Sequence, residues 1–164
     1  MTAPFRRRRD GRYVVKLDPS GRAVLATLSQ QLLPTLDSDE PMTRRLFPPA
    51  YTDADRHQEE QDYRTLVDSA LVGHHQQAFT VLAETARAET LSPSEFGAWL
   101  SAIESIRLII GTRLDVSEEM PEPAADDPSA PEFALYELLG QLQYLMIEIL
   151  ASELPPEGRP EGIL

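Results

Sequence analysis

The chain has 164 residues, 41% of them apolar, no cysteine, and a formal net charge of −12 at pH 7. That length and apolar content suit one domain with a real core, and the missing cysteines exclude disulfides, thiolate metal sites and a cysteine nucleophile. No apolar run reaches the roughly 18–20 residues that span a bilayer, and no apolar segment follows the charged N-terminus as a secretory signal requires, so a cytoplasmic setting is the default expectation.

The charge is unevenly placed. Six of the fifteen cations are Arg6, Arg7, Arg8, Arg9, Arg12 and Lys16, opposed only by Asp10, so residues 1–16 carry +5 and residues 17–164 carry −17. A pI near 4.6 makes the body a poor non-specific binder of nucleic acid. The basic arm is suited to gripping nucleic acid, gripping a protein partner, or lying against its own body.

Residues 4–17 read as a β-hairpin. A two-residue Asp10-Gly11 loop would scatter the apolar side chains over both faces. A three-residue Arg9-Asp10-Gly11 loop with left-handed Gly11 instead pairs Phe5 with Val15 and Arg7 with Tyr13. Phe5, Tyr13, Val15 and Leu17 then share one face, the register that burial selects, and Arg6, Arg8, Arg12 and Lys16 share the other.

Asp18-Pro19 is a helix start. The helix runs to about Leu33, with Val24, Leu25, Leu28, Leu32 and Leu33 on one face and Pro34 ending it. Asp37 to Pro49 reads as a connector. Thr52 or Asp53 then caps a helix with an acidic first turn and an apolar stripe of Tyr63, Leu66, Val67, Ala70 and Leu71. Gly73 either breaks this helix or lets it bend into residues 74–87, with Ala78, Val81 and Leu82 inward.

Ser92-Pro93-Ser94-Glu95 is a capping box with proline in the first turn. It opens a helix to about Leu114 carrying Phe96, Trp99, Leu100, Ile103, Ile106, Ile110 and Leu114 at helical spacing. Residues 117–131 hold four prolines and five acids with no cation, the composition of a flexible linker. The last helix starts at Pro131-Glu132 and runs from Phe133 to about Glu153. Its stripe of Leu135, Leu138, Leu139, Leu142, Leu145, Met146, Ile149 and Leu150 is wide enough for a central helix or for one that also forms a homodimer. Residues 155–164 read as a disordered tail.

Sites are fewer than elements. The outward cations Arg6, Arg8, Arg12 and Lys16 are the sharpest candidates, for a partner or for phosphates, against the plain reading of an edge ribbon kept soluble by charge. His57, Glu60 and Arg64 share a helix face, and His74-His75 is the other histidine source; adjacent residues point about 100° apart on a helix, so intrahelical pairing is the expected use and no metal site is expected. Motifs for phosphate loops, serine hydrolases or zinc proteases are absent. The residues thus predict no enzyme, no catalytic residue and no cofactor.

Several strings resemble a known family: Phe5-Arg6-Arg7-Arg8, Arg45-Leu46-Phe47-Pro48-Pro49-Ala50-Tyr51, Gln61-Asp62-Tyr63-Arg64, Ala98-Trp99-Leu100, and Ile106-Arg107-Leu108-Ile109-Ile110-Gly111-Thr112-Arg113-Leu114. In this order they resemble the actinobacterial domain-of-unknown-function family two-zero-one-seven, over Phe5 to about Leu154. The family has no assigned activity. Its members are often encoded beside the ClpS-type adaptor of the Clp protease, and some are labelled transcriptional regulators, so the resemblance implies a regulatory or adaptor role. Its family-like positions here are Arg7, Arg45, Phe47, Tyr51, Arg64, Trp99, Arg107, Gly111 and Arg113.

Arg45, Arg64, Arg107 and Arg113 are four of the nine cations in residues 17–164 and sit beside apolar or aromatic residues. They are expected to cluster as an ion-pair network with Glu104, Glu60, Asp62 or Asp115, or to face a small acidic ligand or a partner's acidic terminus. The whole reads as one mainly α domain over residues 1–154, an N-terminal β-hairpin packed on a bundle of four to five helices. The expected role is a cytoplasmic, non-enzymatic regulator or adaptor acting through protein contacts, with no membrane partner, and the resemblance adds a link to Clp-type proteolysis. The alternative is a DNA-binding transcriptional regulator using the basic hairpin on nucleic acid.

Overall fold

A computed structural model describes residues 3–37, 57–114 and 123–154, with the side chains of residues 57, 60, 61 and 63–70 outside that description. The chain order is β1 (Phe5–Arg7), β2 (Tyr13–Val15), α1 (Pro19–Leu32), a 3-10 turn (Leu33–Asp37), α2 (His57–Thr85), β3 (Thr90–Leu91), α3 (Pro93–Leu114) and α4 (Ala130–Ser152). The fold is mainly α, as the patterning predicts.

The hairpin has the register that burial demands: Phe5 opposite Val15, Arg6 opposite Val14, Arg7 opposite Tyr13. Its loop closes through Arg8 N–H to Arg12 C=O at 2.7 Å and Gly11 N–H to Arg8 C=O at 3.1 Å. Gly11 sits at φ 89°, where a side chain is strained. Sequence patterning overlooks β3, whose two residues are too few to show alternation. It pairs with β2 antiparallel, Tyr13 with Leu91 and Val14 with Thr90, making β2 the central strand of three.

The inner face of this sheet docks on α3 through rings. Phe5 meets Phe96 edge-on at 5.7 Å and Trp99 edge-on at 6.3 Å, while Tyr13 stacks on Phe96 at 3.9 Å. The capping box of α3 is closed both ways, Glu95 N–H to Ser92 Oγ at 3.1 Å and Ser92 N–H to Glu95 Oε1 at 2.8 Å. It fixes the helix start that presents Phe96 and Trp99. The buried Trp99 donates its indole N–H to Thr85 Oγ1 at 2.6 Å, tying α3 to the end of α2.

Burial corrects three expectations. α3, not the last helix, is the central one: it packs between α2 and α4 and buries Phe96, Trp99, Ala102, Ile103, Ser105, Ile106, Ile109, Ile110 and Gly111. α4 buries only Phe133, Leu139, Leu142 and Met146, and Leu138 of its expected stripe is 46% exposed. On α1, Val24 faces out at 41% exposure, because Leu25 and Ser29 take the buried positions. Pro34 ends the α-geometry but not the helical path, since the 3-10 turn that follows buries Leu36. α2 is one helix through Gly73.

α4 begins at Ala130, inside the expected linker, after a turn in which Asp127 Oδ1 accepts from the Ser129 N–H at 2.8 Å and hydroxyl at 2.7 Å. The 115–122 stretch, the connector with Arg45, and the expected tail lie outside the described residues.

One arginine joins these parts. Arg22 on α1 donates to four carbonyls: Nε to Leu17 at 3.0 Å, Nη1 to Ala86 at 3.0 Å and Ala88 at 2.6 Å, and Nη2 to Val15 at 3.0 Å. A cation here also meets the negative end of α2. Arg22→Met is expected to destabilise the fold by about 2–3 kcal/mol, since hydrogen bonds to a charged donor are lost and carbonyls are left unpaired. Arg22→Lys should recover only a minor part, because one ammonium cannot span the fork. Urea midpoints check both. Gly11→Ala should cost about 1–2 kcal/mol from backbone strain alone, as nothing lies within 4 Å of the added Cβ; Gly11→Asn should cost less.

Candidate functional site

The outer face of the sheet places Arg6, Val14 and Thr90 in one row across the three strands. Arg6, Arg8 and Lys16 line an open groove over that row, with Val14, Leu17, Arg22, Glu89 and Thr90. The four predicted cations are not equivalent. Arg12 folds onto β3, donating Nε to Thr90 Oγ1 at 3.0 Å and Nη2 to the Thr90 carbonyl at 3.5 Å, with Glu95 Oε1 3.9 Å away. Arg8 pairs with Asp10 at 3.0 Å within the turn. Arg6 and Lys16, and Arg9 in the turn, are exposed and have no carboxylate partner among the described residues.

Arg7 points to the opposite side, where its Nε lies 3.2 Å from Glu153 Oε1 at the end of α4. Glu153 Oε2 also accepts from the Tyr13 hydroxyl at 2.8 Å. Burial and that carboxylate together push the Tyr13 phenol above its ordinary pKa.

The expected arginine network takes a different form in the described residues. Arg45 and the side chain of Arg64 lie outside them. Arg107 and Arg113 both project from α3 to α4, but Glu104 is exposed and pairs with neither. Arg113 Nη2 meets Glu132 Oε1 at 3.2 Å, in the first turn of α4. Arg107 meets a ring: its guanidinium carbon lies 4.6 Å from the Tyr136 centroid.

A Cβ at Gly140 would come within 3.0 Å of Arg107 Nε, so the missing side chain there is what lets Arg107 cross α4. Sequence patterning alone does not single out Tyr136 and Gly140. The available signal was a glycine inside an apolar helical stripe, which costs roughly 1 kcal/mol against alanine and so asks for a reason. With Glu137, Gln141, Tyr144 and Leu145 these residues line an open groove of about 740 Å³.

His74 and His75 join α2 to α3. His75 Nδ1 lies 3.2 Å from Ser105 Oγ, and His74 Nε2 lies 3.4 Å from Ser101 Oγ. No group of three or more His, Cys, Asp or Glu that could hold a metal occurs among the described residues. Burial, then the neighbouring His74, lowers the His75 pKa. Its neutral form is therefore favoured by folding, and stability falls as pH drops below about 6.5, where the unfolded chain takes up the proton. His75→Gln is expected to flatten the fall in thermal midpoint between pH 7.5 and 5.5, measured by circular dichroism.

A family model for a domain of unknown function, DUF2017, matches residues 1–150. A protein of Mycobacterium leprae (strain TN) named "Putative oxidative stress regulator AosR" is 30% identical over 131 residues, covering 70% of this chain. The match spans 60% of that relative's own length. No solved structure matches the chain. Among the described residues, no helix is long and apolar enough to cross a membrane. The matched span holds the sheet, Arg107 and Arg113, and the groove beside Arg107; the chain belongs to the DUF2017 family.

Proposed function

We propose that this chain is a cytoplasmic regulatory protein that catalyses no reaction and acts by holding a protein partner on the outer face of its basic sheet. The observation that carries this reading is the exposed pair Arg6 and Lys16 in the outer-face groove, with exposed Arg9 in the adjoining turn, all without carboxylates among the described residues, on a sheet whose other face is anchored in the core. In a chain whose residues 17–164 carry −17, such a set is a local site for an acidic protein surface.

Two points favour protein over DNA. Arg7, Arg8 and Arg12 already face carboxylates, and Glu89 stands in the groove wall, so few cations are left to displace counterions from a duplex. The acidic body adds a repulsive field. The name of the Mycobacterium leprae relative supports a regulatory role. These 164 residues hold no cysteine, so in this chain regulation by thiol oxidation has no residue to act on. A link to Clp-type proteolysis is the finer form of the adaptor reading that the family resemblance implies.

An affinity pull-down with wild type and with Arg6→Glu/Lys16→Glu, scored for proteins and nucleic acid together, tests the reading. Wild type should retain a defined protein set, Clp components included if the finer form holds, and the double variant should lose it by tenfold or more while keeping its helical circular dichroism. An unchanged protein set would sink the proposal. Retardation of duplex DNA that weakens steeply with salt would replace it with the DNA-binding alternative.

A further inference from the structure

We infer that the groove at Arg107 is a receptor for a carboxylate borne on a peptide, a site independent of the basic sheet. Arg107 is the described arginine with the most unbalanced surroundings. Its Nε is buried without a hydrogen-bond acceptor, pressed into the notch at Gly140. Its guanidinium lies over Tyr136, and no carboxylate among the described residues pairs with it. Arg113, two turns along the same helix, has Glu132.

A guanidinium stripped of part of its water and lacking a counter-charge gains most from an incoming anion. The stacked face leaves the edge for recognition, and the paired Nη groups of a guanidinium match the two oxygens of a carboxylate.

The surroundings select the anion. Glu137 lines the groove, so a dianionic phosphate meets a like charge beside the single cation, while a monoanionic carboxylate is penalised less. The groove is open, and Tyr136, Tyr144 and Leu145 give it apolar walls that a lone acetate-sized ion leaves uncovered. An acidic side chain or C-terminus flanked by an apolar residue covers both. The Tyr144 hydroxyl is already held by Glu148 at 2.7 Å, which keeps its ring in place as a wall. Gln141 supplies a neutral amide donor on the same helix.

The full chain, labelled with nitrogen-15, reports on this site through the Arg107 Nε–H resonance, which burial protects from exchange. Titration with acetyl-Leu-Glu-amide should move that resonance saturably. The isostere acetyl-Leu-Gln-amide should bind at least tenfold more weakly, and sodium acetate and inorganic phosphate should each be weaker than the Glu peptide. Arg107→Lys, which keeps charge but not the fork, should lose tenfold or more in affinity. The wild-type titration needs no variant, so a misfolded Arg107→Lys leaves the test intact. No saturable shift by the Glu peptide, an equal shift by the Gln peptide, or tighter binding of phosphate would each overturn the inference. So would binding that appears only in Glu137→Gln, which would mean that Glu137 closes the site itself. Loss of partners by Arg6→Glu/Lys16→Glu with an unchanged peptide titration separates this site from the sheet.

Discussion

Four rings hold the N-terminal sheet to the helical body, and most of the molecule's surface chemistry depends on them. Phe5 and Tyr13 meet Phe96 and Trp99 at 3.9–6.3 Å, all four are buried, and Trp99 is anchored by its indole N–H on Thr85. Truncating one such ring costs about 3–5 kcal/mol, a large share of the 5–15 kcal/mol by which a domain of this size is stable. The sheet is therefore part of the core and not an appended arm. Its alternation places one set of side chains in that core and the cations outside, so the basic face is fixed in orientation by the same contacts that stabilise the fold.

The arginines divide by what they meet. Arg22 gathers carbonyls from β2, from the segment after it and from the end of α2; Arg12 holds β3; Arg7 and Arg113 reach carboxylates at opposite ends of α4. These are tethers between elements in a small domain with a strongly acidic body, where a delocalised fork reaches several acceptors that lysine's point charge cannot. Against that background the described cations with neither a carboxylate nor a carbonyl partner differ in their surroundings: Arg6, Arg9, Lys16 and Arg87 are exposed, and Arg107 is half-sheltered against a ring.

The hairpin register was legible because one loop length alone gives a single apolar face, and the start of α3 because its capping box is a local motif. β3 was not legible, since two residues carry no period and its partner is 78 positions away at Tyr13–Leu91. The centrality of α3 is not legible in stripe width, which is greatest on α4, where Leu138 of the stripe is nonetheless exposed; hydrophobicity marks which residues can be buried, not which helix has neighbours on more sides. The arginine cluster was anticipated as ion pairs. For Arg107 the geometry gives a ring and a glycine, because charge count says nothing about which helix face a partner occupies.

α4 connects the two surfaces. Its first turn is tied to α3 by Glu132, its middle is crossed by Arg107 at Tyr136 and Gly140, and Glu153, just past its last turn, holds both Arg7 and Tyr13 of the hairpin. Between those ties it buries four side chains against nine residues of α3. A helix held by ionic and aromatic contacts along its length, with so few fully buried anchors, owes more of its position to polar contacts than α3 does. Salt weakens exposed ion pairs and leaves apolar burial largely unchanged, so the seat of α4, and with it the attachment of Arg7, is the part of this fold most sensitive to its ionic surroundings.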